Sequence, residues 1–110
     1  MARLIWTEPA AGDLESIADY IALDKPDAAR RYVKIVFAAV ERLARFPSSG
    51  AVPPEIPDLP YRQIVVPPCR VFYRFRNKTV FILHVMRFER FLRDDLLEER
   101  ARMMNEKDNI

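Results

Sequence analysis

The sequence predicts an α+β domain of order β–α–α–β–β–β–α, and three observations carry that prediction. Two apolar stripes at helical spacing follow one another across residues 14–44, with only Asp24-Lys25-Pro26 between them. Three runs rich in β-branched and aromatic residues then fill positions 62–86, parted by Pro67-Pro68 and by Asn77-Lys78. The chain has 110 residues, 50% hydrophobic and 31% charged, which suits one core and excludes disorder by low hydrophobicity. The expected architecture is a mainly antiparallel sheet with an N-terminal helical hairpin on one face and a C-terminal helix.

Residues 2–6 form a short apolar run that reads as a strand. Thr7-Glu8-Pro9 then supplies a capping hydroxyl, an acid for the first turn and a proline where its missing N–H is harmless. Leu14, Ile17, Ala18 and Ile21 repeat at i, i+3, i+4, i+7, with Asp13, Glu15 and Asp19 on other faces, so a helix is expected over 8–23. After a break with Asp24 or Lys25 near the cap, a second helix is expected over 26–46. Its stripe is Ala29, Val33, Val36, Phe37, Val40, Leu43 and Ala44. Tyr32, Ile35 and Ala39 widen that stripe, as expected of a helix touching both its hairpin partner and a sheet; Tyr32 accordingly reads as core.

Phe46-Pro47-Ser48-Ser49-Gly50 ends the helix, and 7 of the 9 prolines lie between positions 47 and 68, which marks a loop inside one domain. Strands are expected at Arg62–Val66, Arg70–Arg76 and Thr79–Met86, the last two joined by a hairpin turn at Asn77-Lys78. In the middle strand Val71, Tyr73 and Phe75 alternate with Arg70, Phe72, Arg74 and Arg76, which predicts one packed face and one solvent face. The last strand is apolar on both faces, as a central strand is. Helical spacing returns with Phe88, Phe91, Leu92 and Leu96, and few apolar anchors follow. The expected domain is therefore 1–97, with 98–110 the solvated end of the C-terminal helix and a tail.

Charge is unevenly placed. Residues 1–59 hold 7 Lys/Arg and 9 Asp/Glu, residues 60–93 hold 8 and 1, and residues 94–110 hold 3 and 6. The basic island includes Arg62, Arg70, Arg74, Arg76, Arg87 and Arg90, with Arg70, Arg74 and Arg76 on one strand face and Arg62 expected beside them. Guanidinium forks bind phosphate and carboxylate alike, so this surface fits RNA cleavage, DNA backbone or an acidic peptide; a solvated strand face is the plainer alternative.

Other chemistries find little support. Gly12 and Gly50 are the only glycines, too few for a phosphate-cradling loop. One cysteine and one histidine leave no disulfide and no Cys/His metal cluster, so neither a metal nor a cofactor is expected. Cys69 reads as structural, and His84 either as an acid–base group facing the arginines or, preferably, as a histidine satisfied within the sheet. No apolar run reaches the ~20 residues of a membrane span, and Met1–Trp6 meets Glu8 and Pro9 before a signal sequence develops, so a cytoplasmic protein without a membrane partner is expected.

The order of elements, with Ala11, Asp13-Leu14, Ile17, Tyr20-Ile21-Ala22, Pro26, Ala28-Ala29, Ile35, Leu43, Phe46-Pro47 and Gly50, resembles the RelE/ParE superfamily of bacterial type II toxins. Pro54-Glu55, Arg62, Pro68-x-Arg70-Val71-x-Tyr73-Arg74, Val80-x-Ile82-Leu83-x-Val85 and Leu96-Leu97 extend the resemblance over residues 3–97. It implies a cytoplasmic growth-arresting toxin neutralised by a cognate antitoxin encoded nearby, with operator DNA reached only through that antitoxin. The hairpin, Pro26 with Ala28-Ala29, and Phe46-Pro47 look more like the ParE-like, plasmid-stabilisation branch, whose members inhibit DNA gyrase and are not nucleases. The RelE-like branch instead implies a ribosome-dependent, metal-independent mRNA endoribonuclease. Arg62 and Arg70 would then match its basic positions, Arg87 or Arg90 the later one, and Glu89, Glu55 or His84 would have to act as base. No tyrosine follows Tyr73 and no histidine follows His84, departures from that branch. The third alternative is a nontoxic module that binds its antitoxin in operon autoregulation.

Overall fold

A computed structural model describes residues 1–108. The elements run β1 (Arg3–Trp6), α1 (Glu8–Ala22), α2 (Pro26–Arg45), β2 (Arg62–Val66), β3 (Cys69–Arg76), β4 (Thr79–Arg87) and α3 (Asp94–Asp108), the predicted order. The four strands form one sheet in the order β1-β4-β3-β2; β1 runs parallel to β4 and the other pairs are antiparallel. The doubly apolar last strand is thus central.

Local chemistry sets the boundaries. The Thr7 hydroxyl accepts from the Ala10 amide at the start of α1, while Lys25, the cap of α2, offers no side-chain bond. The Asn77-Lys78 turn takes positive φ at both residues, 51° and 59°, the backbone that matches the twist of a two-residue hairpin even without glycine. Pro67-Pro68 is joined by a cis peptide bond.

The hairpin of α1 and α2 covers one face of the sheet. Ala10 and Leu14 of α1 and Tyr32, Val36, Val40 and Leu43 of α2 pack there on Val66, Cys69, Val71, Tyr73, Val80, Ile82 and Val85. Helix α2 touches α1, β1, β2 and β4, as its wide stripe predicts, although Ile35 and Phe37 remain exposed. Tyr32 donates from its hydroxyl to the Val66 carbonyl at 2.6 Å, which accounts for a buried tyrosine in an apolar core.

The expected solvent face is a second core. Phe72, Phe81, Leu83 and Met86 are covered by Leu97, Ala101 and Met104 of α3 and by Ile56 and Tyr61 of the proline-rich loop. Apolar anchoring therefore continues past position 97, because Ala101 and Met104 follow Leu97 at i+4 and i+7. Residues 109 and 110 of the expected tail lie outside the described residues. Helix α3 also begins later than the aromatic spacing predicts: Phe88 and Phe91 precede it and are 47% and 96% exposed. The Phe88 amide donates to the Pro68 carbonyl, so the chain there follows the β3–β4 end and not a helix.

The proline-rich loop is tied down by polar bonds. The Tyr73 hydroxyl donates to the Pro47 carbonyl at 2.7 Å and accepts from the Gly50 amide at 2.9 Å. A Cβ at Gly50 would lie 2.5 Å from that oxygen and 2.7 Å from the Gln63 carbonyl, so only glycine permits the approach. Ala51 and Gln63 exchange two backbone bonds beside it.

Candidate functional site

Strand β1 ends opposite Ile82, which leaves the outer edge of β4 beyond that point without a strand neighbour. Side chains take over. The Thr7 amide and hydroxyl both bond the Ile82 carbonyl; next, Arg100 of α3 donates to the Leu83 carbonyl at 2.9 Å, and the Val85 amide donates to Asp13 of α1 at 3.1 Å. A register shift between β3 and β4, where Phe72 pairs with His84 and Tyr73 with Ile82, turns Leu83 and His84 to the same face. The His84 ring consequently stacks on Phe72 at 5.8 Å.

Asp13, His84 and Arg100 meet at this place. Oδ2 of Asp13 lies 2.7 Å from His84 Nδ1 and 2.6 Å from an Arg100 terminal nitrogen, and the other terminal nitrogen reaches Oδ1 at 3.3 Å. That first Arg100 nitrogen has two hydrogens, one on Asp13 and one on the Leu83 carbonyl, so its 2.9 Å contact with Nδ1 is not a bond it donates. Nδ1 therefore carries a proton, which it gives to Asp13, so that the free lone pair of an uncharged ring would stand on Nε2. Burial pushes the Asp13 carboxyl up, but the bonds from His84, Arg100 and the Val85 amide outweigh it and hold the group below its ordinary 3.8.

The arginines of the island do not form one open surface. Arg62, Ile64 and Val66 point to the helical hairpin, and Arg62 donates to the Gly50 carbonyl at 2.9 Å, so this residue lies on the opposite face from Arg70. The expected grouping of Arg62 with Arg70 is thereby corrected; an alternating strand sends Arg62 with Ile64, whose apolar side chain belongs to the core. Arg70 is held three ways. Its terminal nitrogens grip Glu55 at 2.7 and 2.8 Å, its Nε donates to Gln63 at 2.8 Å, and its guanidinium sits 4.7 Å above the Phe72 ring. The bond from Arg70 draws the Glu55 carboxyl below its usual range. Arg74 and Arg76 follow half-buried on the Arg70 side of β3.

At the far end of β4, Arg87 bonds Glu89 at 2.6 Å and lies 5.6 Å from the Tyr20 ring of α1. Arg87, the exposed Arg90 and Phe91, together with Asp13, Ile17 and His84, line a cleft of about 300 Å³. The structure thus brings Arg87 and Arg90 together with His84, and leaves Arg62 apart. Asp13 and Arg100 are the functional-site candidates that residue patterns did not single out. Asp13 sits one turn before Ile17, on the border of the apolar stripe, and a carboxylate there needs a partner; that spacing was the available signal.

Cys69 is fully buried and burial raises its thiol, so it has the character of a core side chain. Among the described residues no three His, Cys, Asp or Glu side chains converge as a metal-holding group. Among the same residues no helix is long and apolar enough to cross a membrane.

Residues 4–90 match the family model described as ParE toxin of type II toxin–antitoxin system, parDE. Toxin RelE2 of Caulobacter vibrioides is 33% identical over 86 residues, covering 77% of this chain and 93% of that protein. The toxin-named Y4kP of Sinorhizobium fredii is 46% identical over 48 residues, 44% of this chain and 50% of that protein's length. A solved structure described as the chromosomal ParDE TA system from P. aeruginosa superposes with a TM-score of 0.69 at 29% identity, covering 81% of this chain and 98% of its own.

Proposed function

Because the chain belongs to the ParE toxin family of type II toxin–antitoxin systems, we propose that it arrests growth by engaging DNA gyrase while a cognate antitoxin holds it inactive. Both encounters take place in the cytoplasm, and operator DNA is reached only through the antitoxin. Two basic patches are offered to target or antitoxin: Arg70, Arg74 and Arg76 on the α3 side of β3, and Arg87 with Arg90 at the far end of β4 beside α1, with Arg62 in neither. One observation carries the preference for gyrase over RNA cleavage: Arg62 and Arg70, which the nuclease reading needs together, lie on opposite faces and are each occupied by their own chain. A cleaving surface requires guanidinium groups aimed together at the developing charge of one phosphate.

A second reading rests on a different observation. The relative named RelE2 aligns over 93% of its length, and the Asp13–His84 pair borders Arg87 and Arg90 in one cleft. In a metal-independent mRNA endoribonuclease, Nε2 of His84 would be the proton acceptor and these two arginines the phosphate holders.

Inducing the chain alone, and beside its neighbouring reading frame, separates these readings. Gyrase-linked DNA breaks with intact early mRNA, relieved by the neighbour, are the expected result. Ribosome-dependent mRNA cleavage that His84→Gln abolishes would establish the second reading, and undisturbed growth would leave an antitoxin-binding module.

A further inference from the structure

Where the end of β4 passes α1, two clefts of about 300 and 370 Å³ lie side by side and share Ile17, Arg87 and Arg90 as a common wall. Phe91 stands at the rim of the first and Tyr20 at the rim of the second, 96% and 66% exposed. Ile17, Val85 and Met86 make the inner part of the first cleft apolar. A phenyl ring left almost wholly in water forgoes the gain of burial, and here it does so beside an apolar recess that it does not fill. Such a pairing marks a surface for association.

The charges around it select the occupant. Residues 87–95 carry Arg87, Arg90 and Arg93 against Glu89, Asp94 and Asp95, three of each sign. Arg87 is bound by Glu89 at 2.6 Å, and Arg93 lies 3.5 Å from Asp95. A nucleic-acid backbone or an anionic lipid surface is uniformly negative and would meet these acids as like charges. A surface of balanced sign, with an aromatic knob and an apolar recess side by side, is instead complementary to itself. Across a two-fold axis, a residue that meets a second residue on the partner receives the same contact in return.

We propose that a second copy of this chain occupies the site, the Phe91 ring of each protomer entering the cleft of the other against Ile17. Arg90 is exposed beside Glu89, itself 62% exposed, so Arg90 of one copy pairs with Glu89 of the other, and the converse. The contact closes the His84 cleft and withholds Arg87 and Arg90, whichever target the free chain engages. The dimer is thus a resting form that dilution opens, since a small interface of this kind associates in the micromolar range.

Sedimentation velocity of the purified full chain across that range is expected to show monomer passing to dimer. A mixture of differently isotope-labelled chains should show contacts between the Phe91 ring of one copy and the Ile17 methyls of the other. Phe91→Ser is expected to weaken association about tenfold or more, with the thermal transition of the monomer unchanged because the ring is already in water. Arg90→Glu should weaken it as well, and adding Glu89→Arg to the same chain should restore it, a recovery that reciprocal pairing gives and a general loss of charge does not. A chain that stays monomeric throughout overturns the proposal, as does a dimer indifferent to Phe91→Ser, whose interface would lie elsewhere. Failure of the charge exchange to restore association overturns the two-fold pairing. Burial of Phe91 solely when the neighbouring protein is added overturns the proposal in favour of that protein as occupant.

Discussion

Asp13 accepts bonds from His84, Val85 and Arg100, and its side chain is only 20% exposed. Removing Arg100 leaves that carboxylate short of its only guanidinium and frees the Leu83 carbonyl. Arg100→Ala is therefore expected to destabilise the fold by about 2–3 kcal/mol, less than for a pair wholly out of water, as read by urea unfolding. The pH dependence has a definite sign. A carboxyl whose folded value lies below its ordinary 3.8 contributes stability that is complete above the unfolded value and lost as pH falls through the folded one. The wild type should thus lose stability on acidification below about pH 4, and Asp13→Asn should show a flatter acid limb together with lower stability at neutral pH. Little of this was legible in the sequence. Positions 13, 84 and 100 share no local pattern, and a continuous apolar run hides the register shift that turns His84 toward them.

Elements were more legible, for a physical reason. Helical periodicity survives in α1 and α2 because each buries one stripe, and proline and Asn-Lys breaks mark the strand ends. Two features escaped. The alternation in β3 predicted a solvent face, yet Phe72 stands among the arginines and shares its face with Phe81 and Leu83, so a second layer was required. The spacing of Phe88 and Phe91 imitated a helix that the Phe88–Pro68 bond prevents. The hairpin turn offers a test at this scale. Lys78 holds φ at 59°, a region unfavourable to a residue with a Cβ. Lys78→Gly is expected to raise stability by about 0.5–1 kcal/mol, the relief of left-handed strain offset in part by a looser unfolded chain; the midpoint of thermal unfolding reports it.

At the scale of the molecule, the basic island is real in sequence and partly neutralised in space. Glu55 grips Arg70 and Glu89 grips Arg87, one reaching in from the loop and the other from the end of β4. Nonspecific binding to duplex DNA should accordingly be weak. Glu55→Gln with Glu89→Gln should strengthen it and steepen the slope of log K against log salt by about 1–2, as up to two guanidiniums become available to phosphates. The closure of the β4 edge by Asp13 and Arg100 also bears on kinetics. The two residues are 87 positions apart, so their union requires nearly the whole chain to be in place. Closing a loop of that length costs more entropy than closing the β3–β4 hairpin, so this contact is expected to form after it. The bond between them would then be a brake on opening and not a guide to assembly: Arg100→Ala is expected to quicken unfolding and to leave the refolding rate close to that of the wild type in stopped-flow kinetics.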